Sequence, residues 1–314
     1  MSDFIDVPSN ERVMGLLDRT QRFYDLGISR VVKSPETFPS LVQLIDDIRE
    51  VVSMPMNPEF ATGLRLELSS LDTMAAHTIA ANGIKDGDHL VDPTPYLEEA
   101  LEINPEFGSA WHVLGRHQGM VGRIKDSIYS LEQAVKHYPG HMGAHKDLGT
   151  AYMNDGQYLM AIMQITYSMR DSEDMHLKFL NRADAFIHMH MYDAALQDVE
   201  SAKSLDEDHP AFILRSLRME GDCLRLLGNQ NAVLTYEKAI EQALLCKEVF
   251  GDDPYSSEEG YKAELGLVRM GVKPKVTFDS DVHKIGTQAK LNADFMLSSS
   301  HLLPRYASSG NDML

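Results

Sequence analysis

A segment that returns at a fixed interval leaves a chain few ways to fold, because every copy must bury the same face against its neighbours. Here Trp111, Leu114, Gly115, Ala134 and Pro139 recur 34 positions later as His145, Leu148, Gly149, Ser168 and Glu173. Gly122 aligns with Gly156, and Ser127 with Ala161. One more step of 34 reaches Phe179, Ala183, Phe186, Ala195 and Ala202. A fourth copy starting near Leu214 offers Leu217, Gly221, Leu224, Gly228, Ala232, Tyr236 and Ala239, and needs a few extra residues before it and a shortened turn. The glycines of SAWHVLGRHQGMVGR are therefore repeat punctuation. A phosphate loop of the Walker type would need a preceding strand and a GK[ST] ending, and the chain has neither.

The small residues say how each copy is built. Gly115, Gly149, Ala183 and Gly221 fall where two helices cross, and a larger side chain there would hold the second helix off. Glycine inside a helix costs about 1 kcal/mol against alanine, so its retention calls for a packing reason. Gly122, Gly156 and Gly228 fall at the turn between the helices, where a left-handed residue ends the first.

Copy one, GSAWHVLGRHQGMVGRIKDSIYSLEQAVKHYPGH, resembles the tetratricopeptide repeat family in its Trp, Leu, Gly, Ala and Pro positions. Ser127 replaces one alanine and Gln118 the usual aromatic, and later copies lose the tryptophan and the terminal proline. The resemblance is clearest over 108–245. It implies an all-α fold, a right-handed α-solenoid of helix hairpins. The expected organisation is a helical N-terminal extension over 1–70, a repeat array over 71–272 and an irregular C-terminal tail over 273–314.

Outside the clear copies the signals are local. Val13, Leu16, Leu17, Phe23 and Tyr24 share one face of a helix that Gly27 would end. SLVQLIDDIREVV opens with Ser40 and Gln43 at capping-box spacing, then carries Leu41, Leu44, Ile45, Ile48 and Val52 as an apolar stripe. Asn57 and Pro58 predict the start of a third helix with Leu64, Leu68 and Leu71. A fainter copy pairs LDTMAAHTIAANG with PYLEEALEINP across the irregular insert IKDGDHLVDPT. Tyr261, Leu265 and Val268 predict a closing helix that caps the array. Phe295, Met296, Leu297, Leu302 and Leu303 in the tail are expected to dock onto it.

Composition narrows the function. The net charge of -18 disfavours nonspecific binding to nucleic acid and to anionic membranes. The first residues lack a signal-peptide pattern, no apolar run reaches membrane-spanning length, and two cysteines, Cys223 and Cys246, form neither a disulfide framework nor a CxxC pair. A cytoplasmic location is expected. So are the absence of catalysis, of a cofactor and of a metal: His145 takes the position of Trp111 and should face the core, while His188 and His190 diverge by about 200° on a helix.

The resemblance implies that the first helices of the copies line a concave groove that receives a partner peptide through positions two, five, nine and twelve. Those positions hold His112 and Arg116 in copy one, Lys146 in copy two, Leu177, Leu180, Asp184 and Ile187 in copy three, and Arg215, Arg218, Asp222 and Arg225 in copy four. The expected partner is a protein segment that is acidic with apolar anchors. The family's clamp for acidic chaperone tails is disfavoured, because His112, Arg116 and Asp147 stand where lysine and asparagines are wanted. The competing reading is a structural subunit or homo-oligomer whose groove holds its own tail.

Overall fold

The computed structural model describes residues 10–26, 34–86, 89–205, 210–250 and 254–275. Its helices are α1 (Asn10–Leu26), α2 (Phe38–Val52), α3 (Pro58–Asn82), α4 (Thr94–Ile103), α5 (Gly108–Met120), α6 (Ile124–His137), α7 (Met142–Asn154), α8 (Tyr158–Ser168), α9 (Met175–His188), α10 (Tyr192–Lys203), α11 (Pro210–Leu226), α12 (Ala232–Phe250) and α13 (Pro254–Arg269). A 3-10 turn at Pro35–Thr37 precedes α2, and a two-stranded antiparallel ladder, β1 (Lys85–Asp86) with β2 (His89–Leu90), follows α3. None of the described helices is long and apolar enough to cross a membrane. The chain divides into two compact units, Met1–His117 with Tyr129–Gly140 and Gln118–Ile128 with His141–Leu314, and the division passes through α5 and α6.

In the first unit, α2 carries its apolar residues three and four apart, and Leu41, Leu44, Ile45, Ile48 and Val51 are buried with Leu64, Leu68 and Leu71 of α3 and Val13 and Leu16 of α1. The helix begins earlier than the expected capping box. Phe38 and Pro39 open it, proline costing no hydrogen bond in a first turn, and Gln43 donates to Asp47 at 2.9 Å instead of capping. Gly27 lies outside the described residues.

The expected third helix and the first helix of the faint copy are one continuous α3 of 25 residues, which runs unbroken through residue 70. Its hydroxyls explain why it does not stop. Thr73 donates to Ser69 O at 2.9 Å and Ser69 to Ala100 O at 2.9 Å, so neither side chain competes for the helix's own amides. Asn57 caps the start, its Oδ1 accepting from the Glu59 amide at 2.8 Å, and Gly83 ends the helix at φ 56°. Asn57→Ala is expected to cost about 1 kcal/mol, measured as a lower urea midpoint with an unchanged slope.

In the second unit the copies appear as hairpins α7–α8, α9–α10 and α11–α12, followed by α13. The crossings coincide with the small residues. A Cβ on Gly149 would lie 2.5 Å from Ile165 Cγ1, and one on Gly221 would lie 2.7 Å from Tyr236 Cδ1. Ala183 is fully buried in one cluster with Val199, which follows it at the spacing that separates Gly149 from Ile165. Within the first unit Gly115 meets Leu131 in the same way, at 2.6 Å. The turn glycines Gly122, Gly156 and Gly228 have φ of 81°, 77° and 74°, and His190, 34 residues after Gly156, takes the same left-handed conformation at φ 60°.

Two expectations shift. The extra residues before copy four extend α11 at its start, so that it runs to 17 residues. In α13 the buried side is Ala263 and Leu267 rather than Leu265 and Val268, since Val268 is 53% exposed. Gly266 explains the rotation: it turns its bare Cα toward the Tyr236 ring. Of the expected tail, only 273–275 fall among the described residues, so the irregular composition and docking read for 276–314 lie outside them.

Candidate binding face

In the second unit the first helices of successive copies lie side by side and are joined by polar side chains. Asn181 of α9 donates to Thr150 Oγ1 of α7 at 3.5 Å and accepts from Arg215 of α11 at 2.9 Å. Arg215 also lies 4.0 Å from Asp184. Arg218 carries the chain of contacts onward, donating to Glu259 of α13 at 2.7 Å and to Asp222 at 2.9 Å. Lys262 donates to Glu259 at 2.8 Å. Asp222 accepts from the Tyr236 hydroxyl at 2.6 Å, and Arg225 donates to that hydroxyl at 3.1 Å while standing 3.7 Å from Asp222.

The structure thus brings Asp184, Arg215, Arg218, Asp222 and Arg225 together, as the sequence positions suggested. Lys146 on α7 is buried against Asp174 at 2.9 Å. Leu177 and Leu180 are core residues: Leu177 packs with Phe212 and Tyr255, and Leu180 with Ala183, Val199 and Met219. They supply packing, not an open apolar strip, because the first-helix side chains of neighbouring copies close over them. His112 and Arg116 belong to the first unit, where both are buried and Arg116 Nη1 lies 3.5 Å from His77 Nε2.

Electrostatics fixes the charge states. Burial works against the Arg218 charge, but Glu259, Asp222 and Asp184 more than offset it and hold the guanidinium well above its ordinary range. Burial would raise the Glu259 carboxyl, and the cations Arg218, Lys262 and Arg215 instead pull it far below the usual carboxylate range. The cations of this face are matched by acids, so its field is balanced rather than basic. Burial and the neighbouring Asp222 push the Cys223 thiol up to about 12, which keeps it protonated and poorly nucleophilic. Sequence reading missed Asn181, Tyr236, Glu259 and Lys262. The last two sit in SSEEGYK, which in sequence reads as a solvated helix face with an i,i+3 pair.

The histidines singled out in the sequence meet neighbouring rings and polar side chains. His145 is buried, with Nδ1 2.7 Å from Gln164 Oε1 and its ring 4.2 Å from that of Tyr167. His188 stacks on Tyr158 at 4.5 Å, whereas His190 Nδ1 meets the Tyr192 hydroxyl at 2.6 Å. Among the described residues no three His, Cys, Asp or Glu side chains are placed to hold a metal ion.

No protein-family model matches the chain. Among solved structures it is similar to a tetratricopeptide repeat protein from Parabacteroides merdae, at 13% identity and a TM-score of 0.50, over 90% of this chain and 100% of that one. It is also similar to the MamA protein, at 20% identity and a TM-score of 0.47 over 58% of this chain and 96% of that one. A third, YrrB, a TPR protein with an unusual peptide-binding site, has 16% identity and a TM-score of 0.39 over 64% and 95%. The matching hairpin crossings and the near-complete overlap with the Parabacteroides structure lead to one conclusion: this chain has the tetratricopeptide-repeat fold.

Proposed function

We propose that the protein is a noncatalytic protein–protein interaction scaffold, and that a segment of its partner lies along the first-helix face of the second unit. The observation that carries this reading is the set of partly exposed charges Asp184, Asp222 and Arg225 on successive first helices, which the polar ladder Thr150–Asn181–Arg215, buried at Thr150 and Arg215, holds in register. Asp184, Asp222 and Arg225 each keep about a fifth of the side chain exposed on this face. Arg225 is the cation best placed for exchange, since its pair with Asp222 is long at 3.7 Å, and an acidic group of the partner gains more there than at the tightly paired Arg218.

The test is selection from a displayed random-peptide library with the full chain, in parallel with Arg225→Ala. Wild type should enrich sequences with acidic residues, and Arg225→Ala should weaken binding of the selected peptides by about tenfold, equal to about 1.4 kcal/mol. Equal thermal midpoints of the two proteins establish that folding is intact. No enrichment by wild type, or equal binding by both, overturns the assignment of this face.

A further inference from the structure

A buried acid in the first unit is left without a role by the packing just described. Asp72 on α3 is fully buried, and its Oδ1 accepts from Arg49 Nη2 of α2 at 3.1 Å. Its Oδ2 has no hydrogen-bond partner among the described residues. Arg49 is heavily shared. Its Nε donates to Glu99 Oε1 of α4 at 3.0 Å, its Nη2 also reaches Glu99 Oε2, and its Nη1 donates to Asp46 at 3.0 Å. The Tyr96 ring lies 5.7 Å from the same guanidinium. The titratable groups facing Asp72 are therefore Asp46 and Arg49 from α2 and Tyr96 and Glu99 from α4.

Three carboxylates thus compete for one cation, and they are not equivalent. The side chains of Asp46 and Glu99 remain 55% and 33% exposed to solvent, whereas that of Asp72 is 0% exposed. An anionic oxygen with neither water nor a donor is expensive, and taking up a proton removes the charge. We propose that Asp72 is held as a neutral carboxylic acid between α2, α3 and α4 and acts as a proton-operated latch, whose deprotonation loosens the packing of these three helices.

The electrostatic balance agrees with the geometry. Burial, then the Glu99 charge, raise the Asp72 carboxyl to about 8, and the pull of Arg49 does not cancel them. In the unfolded chain an aspartate titrates near about 3.9, so between the two values the folded form binds more protons. The stabilisation is complete below the unfolded value and is lost as pH rises toward the folded one.

The full-length protein tests this directly. Thermal midpoints followed between about pH 5 and about pH 9 should fall with rising pH in wild type and lose that slope in Asp72→Asn, which cannot ionise. Wild type at neutral pH should show the infrared carbonyl band of a protonated carboxylic acid, and Asp72→Asn should lack it. Glu99→Gln, which removes the competing charge, should make the band disappear at lower pH than in wild type. It serves as the deciding variant should Asp72→Asn not fold. An unchanged slope in Asp72→Asn, the absence of the band in wild type, or a band unmoved by Glu99→Gln overturns the latch.

Discussion

Glu259→Ala is expected to destabilise the second unit by about 3–5 kcal/mol, because it removes the most buried acid partner of the Arg218 guanidinium and leaves that buried charge to Asp222. Arg218 and Glu259 keep 8% and 4% of their side chains exposed, so water cannot replace the lost partner. Chemical denaturation should show the loss as a lower midpoint. The double change Arg218→Met/Glu259→Leu should recover most of it, since an apolar pair needs no compensation. Acid gives a second readout. Burial opposes the Glu259 charge, yet Arg218 and Lys262 hold the carboxyl below its unfolded value of about 4.3. Below that pH the unfolded chain binds the proton more readily, so the contribution is present above it and is lost as pH falls. Wild type should therefore lose stability on acidification more steeply than Glu259→Ala. Equal acid slopes, or a cost for Glu259→Ala below about 1 kcal/mol, would show that the pair is solvated like an ordinary surface bridge.

The reach of the sequence differed between backbone and side chains for a physical reason. Helix crossings are set by the size of one residue, so Gly149 and Gly221 announce themselves at a fixed interval, and each meets the side chain of the following helix as expected. Turn conformation is almost as local: three glycines mark it, and His190 shows that the register persists where glycine does not. The candidate face obeys no such local rule. Position numbering placed Arg215, Arg218, Asp222 and Arg225 on one helix face, but which of them stays available depends on α13 and on Tyr236, far away in sequence. Leu177 and Leu180 are buried for the same reason, since the packing of neighbouring helices decides their exposure. Likewise the expected extension over 1–70 and array over 71–272 meet inside α3, where the Ser69 hydroxyl is taken up by Ala100 of α4.

A charged network that joins α11 to α13 fixes the orientation of the two helices through hydrogen-bond geometry, which an apolar contact of equal size would leave freer. The network and the candidate face share Asp222, which accepts from Arg218 and from Tyr236 at the same time. Under the function proposed above, a partner group that engages Arg225 would act on a residue already bonded to the Tyr236 hydroxyl, whose ring packs against α13.

Tyr236→Ala is expected to cost about 3–5 kcal/mol, the range of a fully buried aromatic replaced by alanine. The ring is flanked by two glycines, Gly221 of α11 and Gly266 of α13, and a Cβ on either would run into it. Tyr236→Phe keeps that packing and removes only the hydroxyl that donates to Asp222, so its cost should be about 1–3 kcal/mol. Gly221→Ala separates size from propensity. In wild type it forces a methyl to within 2.7 Å of the ring and should destabilise by about 1–3 kcal/mol. In the Tyr236→Ala background the obstruction is gone, and the same change should stabilise by up to about 1 kcal/mol through helix propensity. The reversal of sign in a double-mutant cycle, read by urea denaturation, is the decisive outcome. If Gly221→Ala has the same effect in both backgrounds, the glycine is not there to admit the ring, and α11 and α12 nest for some other reason.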